Sequence, residues 1–169
     1  MTRKLNIGMH GQLDGWETFN ITKPADHIGD CQDLSRFHSG SFDVVYASHV
    51  LEHVGFREVR ATVQGWQRII RPGGKLYVSV PDMEMCSKIL IHPDADVQTK
   101  QKILAVIYGG ETDVNDYHNS GFVPEGLVHL MTATGFSHIE RVRDFGLFND
   151  CSTLLVNKEP LSINVIATK

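Results

Sequence analysis

Three side chains able to hold a metal or move a proton crowd one short stretch of this 169-residue chain, His49-Val-Leu-Glu52-His53. The H-x-x-E-H order is that of inverted zinc peptidases, where two histidines four apart share a helix face and the glutamate acts as general base. A zinc hydrolase using His49, Glu52 and His53 is therefore one reading. Two features weigh against it. The motif abuts an apolar run, Asp43-Val-Val-Tyr-Ala-Ser48, rather than sitting inside a long amphipathic helix. The chain is also short for a peptidase with a third ligand and a substrate cleft, so no metal is expected. A further histidine, in Tyr117-His118-Asn119, follows Gly109-Gly110 in a polar loop. Its near-neutral pKa suits it to take a proton from a substrate hydroxyl; the bland alternative is a solvated loop histidine.

Two glycines in Gly8-Met-His-Gly11 follow the first apolar run, where a backbone without Cβ atoms lets a ligand approach closely or simply makes a turn. Asp30, just past another short run, can accept a hydrogen bond from an exocyclic amine, whereas Asp33 or Ser35 close by can merely cap a turn. Cys31, Cys86 and Cys151 are odd in number, unpaired in spacing and without neighbouring cations that would activate a thiol.

The elements that must position these groups alternate between β-rich and helical. Strands are expected at Lys4–Ile7, Thr18–Ile21, His27–Gly29, Phe42–Ala47, Lys75–Val80, Ile139–Arg143 and Ser162–Thr168. Helices are expected at Arg57–Ile70, Val97–Tyr108 and Pro124–Thr134; Val59, Val63, Trp66 and Ile70 form the stripe of the first, and Pro72-Gly73-Gly74 is expected to end it. The links between the first three strands are too short for helical crossovers. The strands also alternate: Leu76, Val78 and Val80 set against Tyr77 and Ser79 predict one well-packed face and one thinly covered face. Either the segment between Pro81 and Ile139 folds over that second face, or a partner covers it, most simply a second copy.

Composition bounds the rest. Apolar residues make up 41%, charged residues 21% and the net charge is −4, which fits one globular domain, residues 1–169, and gives no electrostatic footprint for nucleic acid or an anionic membrane. No apolar run is long enough to span a bilayer. A reduced, cytoplasmic protein is the expectation.

Taken in order, Leu5-Asn-Ile-Gly8, Gly15-Trp16 to Asn20-Ile21, Ala25-Asp-His-Ile-Gly-Asp30, Gly40-Ser-Phe-Asp43 through Leu51-Glu-His53, and Gln67-Arg68-Ile69-Ile70-Arg-Pro-Gly-Gly74 through Pro81 resemble a class I S-adenosylmethionine-dependent methyltransferase. The likeness covers roughly residues 4 to 82 and is nearest to a compact branch with shortened first loops. It implies a Rossmann-like α/β sheet, mostly parallel with the last strand antiparallel, and with the N-terminal helices of one face reduced or absent. It implies S-adenosyl-L-methionine as cofactor and in-line transfer of its methyl to a small or glycan-type polar acceptor, a hydroxyl. By the same resemblance, Gly8 and Gly11 lie beneath the methionine moiety and Asn20, with Ile21, stands where an acid usually grips the ribose. Asp30 and Cys31 face the adenine, and Ser48 and His49 line the sulfonium region. His118 is the first candidate base and His53 the second. Three departures stand out: the glycine loop is short, bulky His10 sits within it, and Asn20 brings no negative charge. They support the alternative of a non-catalytic partner or scaffold subunit, and the missing lid implies a site completed by a second subunit, as a homodimer or with a partner.

Overall fold

The computed structural model describes residues 2–9, 11, 13–110 and 114–169; His10 lies outside them. The strands are β1 (Lys4–Ile7), β2 (Glu17–Asn20), β3 (His27–Ile28), β4 (Phe42–Ser48), β5 (Ile70–Pro81), β6 (His138–Val142), the small hairpin β7 (Leu155–Val156) and β8 (Glu159–Pro160), and β9 (Ser162–Thr168). The helices are α1 (Val59–Ile69), α2 (Met83–Ile91), α3 (Val97–Tyr108) and α4 (Pro124–Ala133). The main sheet runs β3-β2-β1-β4-β5-β9-β6. The pairs β1–β2, β1–β4, β2–β3 and β4–β5 are parallel, and β9 is antiparallel to both β5 and β6. Among the described residues no helix stands between β1 and β2 or between β2 and β3. This is the expected Rossmann-like sheet with its first crossovers stripped.

One face is a conventional core. Leu5, Ile7, Phe19, Val45, Ala47, Leu76, Val78, Val80, Ile163 and Val165 alternate onto it and meet Val63 and Trp66 of α1 and Leu127 and Met131 of α4. The α1 stripe also anchors the loop after β3. The Trp66 indole N–H donates to the Cys31 carbonyl at 2.8 Å, and the Arg68 guanidinium donates to the Leu34 and Phe37 carbonyls at 2.7 and 2.8 Å. A loop that would otherwise leave polar backbone over an apolar face is thus tied down.

The other face corrects an expectation. It is covered not by the segment between Pro81 and Ile139 but by irregular chain between β6 and β7. Phe145 and Phe148 pack edge-on against Tyr46, with ring centroids 5.5 and 4.7 Å away, and Trp16 joins them at 6.1 Å. The Tyr46 hydroxyl donates to Asp150 at 2.7 Å, and the Asn164 amide donates to the Arg143 and Ser152 carbonyls. Tyr46 is almost wholly buried and the Asn164 amide is bonded, while the Ser48 and Ser79 hydroxyls on this face are buried without a hydrogen-bond partner.

Two further corrections concern helices. Helix α1 stops at Ile69, before Pro72, because Ile70 already pairs with Phe42; Pro72-Gly73-Gly74 forms an irregularity within β5, not the helix's end. Helix α2 was unforeseen. Its start carries a plain signal, the Asp82 carboxylate accepting from the Glu84 and Met85 amides. It packs with α3 around Cys86, Ile89, Ile103 and Leu161.

Candidate active site

The site opens at the carboxyl ends of β1, β2 and β4, where open parallel sheets bind ligands because the strand order reverses there. Strand β1 ends at Gly8, whose φ of +97° suits glycine and whose absent Cβ would lie 2.4 Å from a Val50 methyl. Its amide donates to the Phe19 carbonyl at 2.8 Å, and its own carbonyl accepts from the Asn20 amide at 2.7 Å. The Asn20 Oδ1 in turn accepts from the Thr22 amide at 3.3 Å. Asn20 therefore stitches the β1 and β2 ends together, leaving one lone pair of Oδ1 for a ligand hydroxyl. Gly29 passes so close to Phe19 that a Cβ would meet its ring at 2.8 Å, which keeps the third wall thin.

These walls enclose a cleft of about 420 Å³, which Gly8, Asn20, Ile21, Asp30, Cys31, His49 and His53 all line. Seven of the ten residues expected at the site thus meet in one cleft. The others do not reach it. Gly11 is bound into the turn beneath β2, its amide donating to the Pro24 carbonyl and its carbonyl accepting from Thr18. Ser48 is on the opposite face of β4, the face of Tyr46. His118 sits just behind His53, the rings edge-to-face at 4.8 Å. Asp30 accepts from the Gln32 amide at 2.9 Å, and Asp33 caps the Ser35 amide as the bland reading had it. Burial and the adjacent Asp30 push the Cys31 thiol up to about 12, so it stays protonated and unreactive.

The histidine motif does not make a helix face. Strand β4 ends at Ser48, His49 takes a left-handed φ of +53°, and a single 3-10 turn, Leu51–His53, follows. His49 Nε2 lies 2.9 Å from the Ser162 hydroxyl, which itself donates to the Cys151 carbonyl at 2.8 Å. A distant segment is laced onto the 3-10 turn. The Asn119 and Ser120 amides donate to the Glu52 carbonyl at 2.7 and 3.0 Å, and the Asn119 side chain donates to the His53 carbonyl at 2.9 Å. That lacing brings His118 to His53. Burial holds the His118 pKa below the usual imidazole value, against the pull of Glu52, so its ring is neutral near pH 7. Sequence reasoning missed the cleft-lining Tyr117 and Asn119, since only this long-range pairing places them there.

Residues 15–78 match the profile of a family described as a methyltransferase domain. No curated protein sequence matches. Solved structures do: a SAM-dependent methyltransferase from Archaeoglobus fulgidus has 13% identity and a TM-score of 0.66, covering 99% of this chain and 86% of its own. One from Methanosarcina mazei has 19% identity and a TM-score of 0.59, covering 99% and 92%. A third is a Haloferax volcanii methyltransferase in complex with the Trm112 methyltransferase activator, at 13% identity and a TM-score of 0.57, covering 99% and 82%. The chain thus has the fold of these solved SAM-dependent methyltransferases, and its residues 15–78 carry the sequence pattern of a methyltransferase domain.

The matched stretch carries most of the walls of the cleft. The neighbours are described as SAM-dependent, and the cleft fits that cofactor on its own terms. The Gly8 floor admits a ligand against bare backbone, Oδ1 of Asn20 keeps an acceptor position, and a carboxylate stands at Asp30. The volume lies within the range of about 300–1,000 Å³ that ligand sites occupy. Among the described residues no helix is long and apolar enough to cross a membrane.

Proposed function

We propose that this protein transfers the methyl group of S-adenosylmethionine to a hydroxyl of a small or glycan-type polar acceptor. The cofactor supplies a methyl made electrophilic by its sulfonium. The observation that carries the reading is the neutral, half-buried His118 set edge-to-face behind His53 at the β4 side of the cleft. A neutral imidazole there can take the acceptor's proton by way of His53, which lines the cleft in front of it, as the acceptor oxygen forms the new bond to carbon. Gly8, Asn20, Ile21, Asp30, Cys31 and His49 hold and orient the cofactor in this reading, while Ser48 and Gly11 support the walls from behind. Exposed Ile21, Val114 and Tyr117 give the mouth an apolar rim, which suits a second copy or a partner subunit closing over it. The free cysteines, all with raised pKa values, suit a reducing cytoplasm.

A second reading, a non-catalytic partner subunit, is favoured by Asn20, whose amide is spent on the Gly8 carbonyl. The test is an acceptor screen with radiolabelled cofactor. Methylation of hydroxylated acceptors is expected, with kcat lowered by about 10²–10⁴ in His118→Ala. Methylation of amines alone, or a fully active His118→Ala, overturns the proposal.

A further inference from the structure

Behind the cleft the structure gathers buried polar atoms that hydrogen bonding leaves unsatisfied. Glu52 is 1% exposed, yet neither carboxylate oxygen accepts a hydrogen bond among the described residues. Nδ1 of His118 is likewise buried and unpartnered there. His53 Nδ1 lies 3.1 Å from the Tyr117 carbonyl, so the proton sits on Nδ1 and the lone pair on Nε2. The Ser162 hydroxyl gives its proton to the Cys151 carbonyl, so it accepts from His49 Nε2–H, and the other ring nitrogen of His49, Nδ1, lies 3.1 Å from Glu52 Oε1. A buried carboxylate whose oxygens accept no hydrogen bond, set beside a buried imidazole nitrogen that is also unpartnered, is costly unless a cation lies among them.

We propose that Glu52, His53 and His118 bind a divalent transition-metal ion of the zinc class. One ligand atom from each lies within 4.8 Å of the others. Metal–ligand bonds of about 2.0–2.2 Å require the three to close to roughly 3.3 Å, a shift that side-chain rotation supplies. Two imidazoles and one carboxylate favour zinc, cobalt or manganese over magnesium, and three ligands leave at least one coordination position for another oxygen. The second shell is already built. The Tyr117 carbonyl fixes the His53 tautomer, and the Asn119 and Ser120 amides fix the Glu52 backbone. Glu52 is thus a ligand, not the general base of a peptidase, and His118 replaces His49 in the set that the H-x-x-E-H spacing suggested.

This inference rests on the methyl-transfer reading for its role; with the ion bound, His53 and His118 are its ligands and the ion takes the place of the imidazole base in that reading. The ion binds the acceptor hydroxyl and lowers its pKa; the proton leaves to water, the oxygen bonds to the methyl carbon, and the carbon–sulfur bond breaks to release S-adenosylhomocysteine.

The experiment titrates chelator-treated full-length protein with Co²⁺, read by visible absorption and by calorimetry. One ion per chain is expected, with affinity reduced at least about 10-fold in Glu52→Gln and in His118→Asn. Circular dichroism checks that each variant folds, and His53→Gln, at a half-buried position, replaces any that does not. No uptake at millimolar Co²⁺, or uptake that the variants leave unchanged, overturns the site. A parallel titration of the metal-free wild type with S-adenosylmethionine reports on the methyl-transfer reading separately.

Discussion

Gly8→Ala tests whether the cleft floor is built by close backbone approach. Two costs follow from the structure. A φ of +97° lies where an L side chain is strained, worth about 1–2 kcal/mol. The new methyl would start 2.4 Å from a Val50 methyl, and relieving such overpacking costs about 1–3 kcal/mol. The sum, about 2–5 kcal/mol, is a large part of a domain's net stability, so the variant folds but melts roughly 4–20 °C lower at this size. Val50→Ala removes the clashing group, so in a double-mutant cycle the second cost is recovered and the backbone cost is not. Thermal denaturation by circular dichroism gives the cycle, and calorimetry gives cofactor affinity, which falls because Gly8 is the floor. A neutral Gly8→Ala, or a Val50→Ala background that recovers nothing, refutes the close approach as the reason for glycine.

Asn20→Asp should weaken cofactor binding and stability by about 1–3 kcal/mol, although an acid is what the family usually carries there. The Asn20 amide donates to the Gly8 carbonyl at 2.7 Å, and a carboxylate would set two acceptors against each other. Tighter binding, seen by calorimetry, would contradict this. Glu17 accepts from the Arg3 guanidinium at 2.6 Å and lies 2.9 Å from His27 Nε2, and these partners hold its pKa below the usual carboxylate value. Its contribution is therefore present above the unfolded value, about 4.3, and lost as pH falls through the lower folded value. Because the pair is partly exposed, Glu17→Gln should cost no more than about 1 kcal/mol near neutral pH and flatten denaturation curves in that acidic window. An unchanged acid profile would count against the pairing.

How much was legible depended on range. Lys4–Ile7, Ser162–Thr168 and Val97–Tyr108 have the bounds that their local alternation or periodicity predicts, since each pattern is contained in the element itself. The cover of the second face was not, because Phe145 and Phe148 sit in a stretch with no period and find Tyr46 only in the folded chain. The site divides in the same way. Gly8, Asn20 and Asp30 follow strands and were readable from that position, whereas the meeting of His118 with His53 depends on Asn119 and Ser120 bonding to the Glu52 carbonyl. Asn20 shows a further limit. Its residue type was plain, but the use of its amide to hold Gly8 was not, since nothing in a one-dimensional pattern says which acceptor a side chain meets.

The most direct test of the account is a calorimetric titration of the wild-type protein with S-adenosylmethionine, repeated with S-adenosylhomocysteine already bound. One saturable site per chain in the micromolar range, blocked by the competitor, is the predicted result. No saturable heat at millimolar cofactor would contradict it, because a glycine-floored cleft between β1 and β2 would then hold something else.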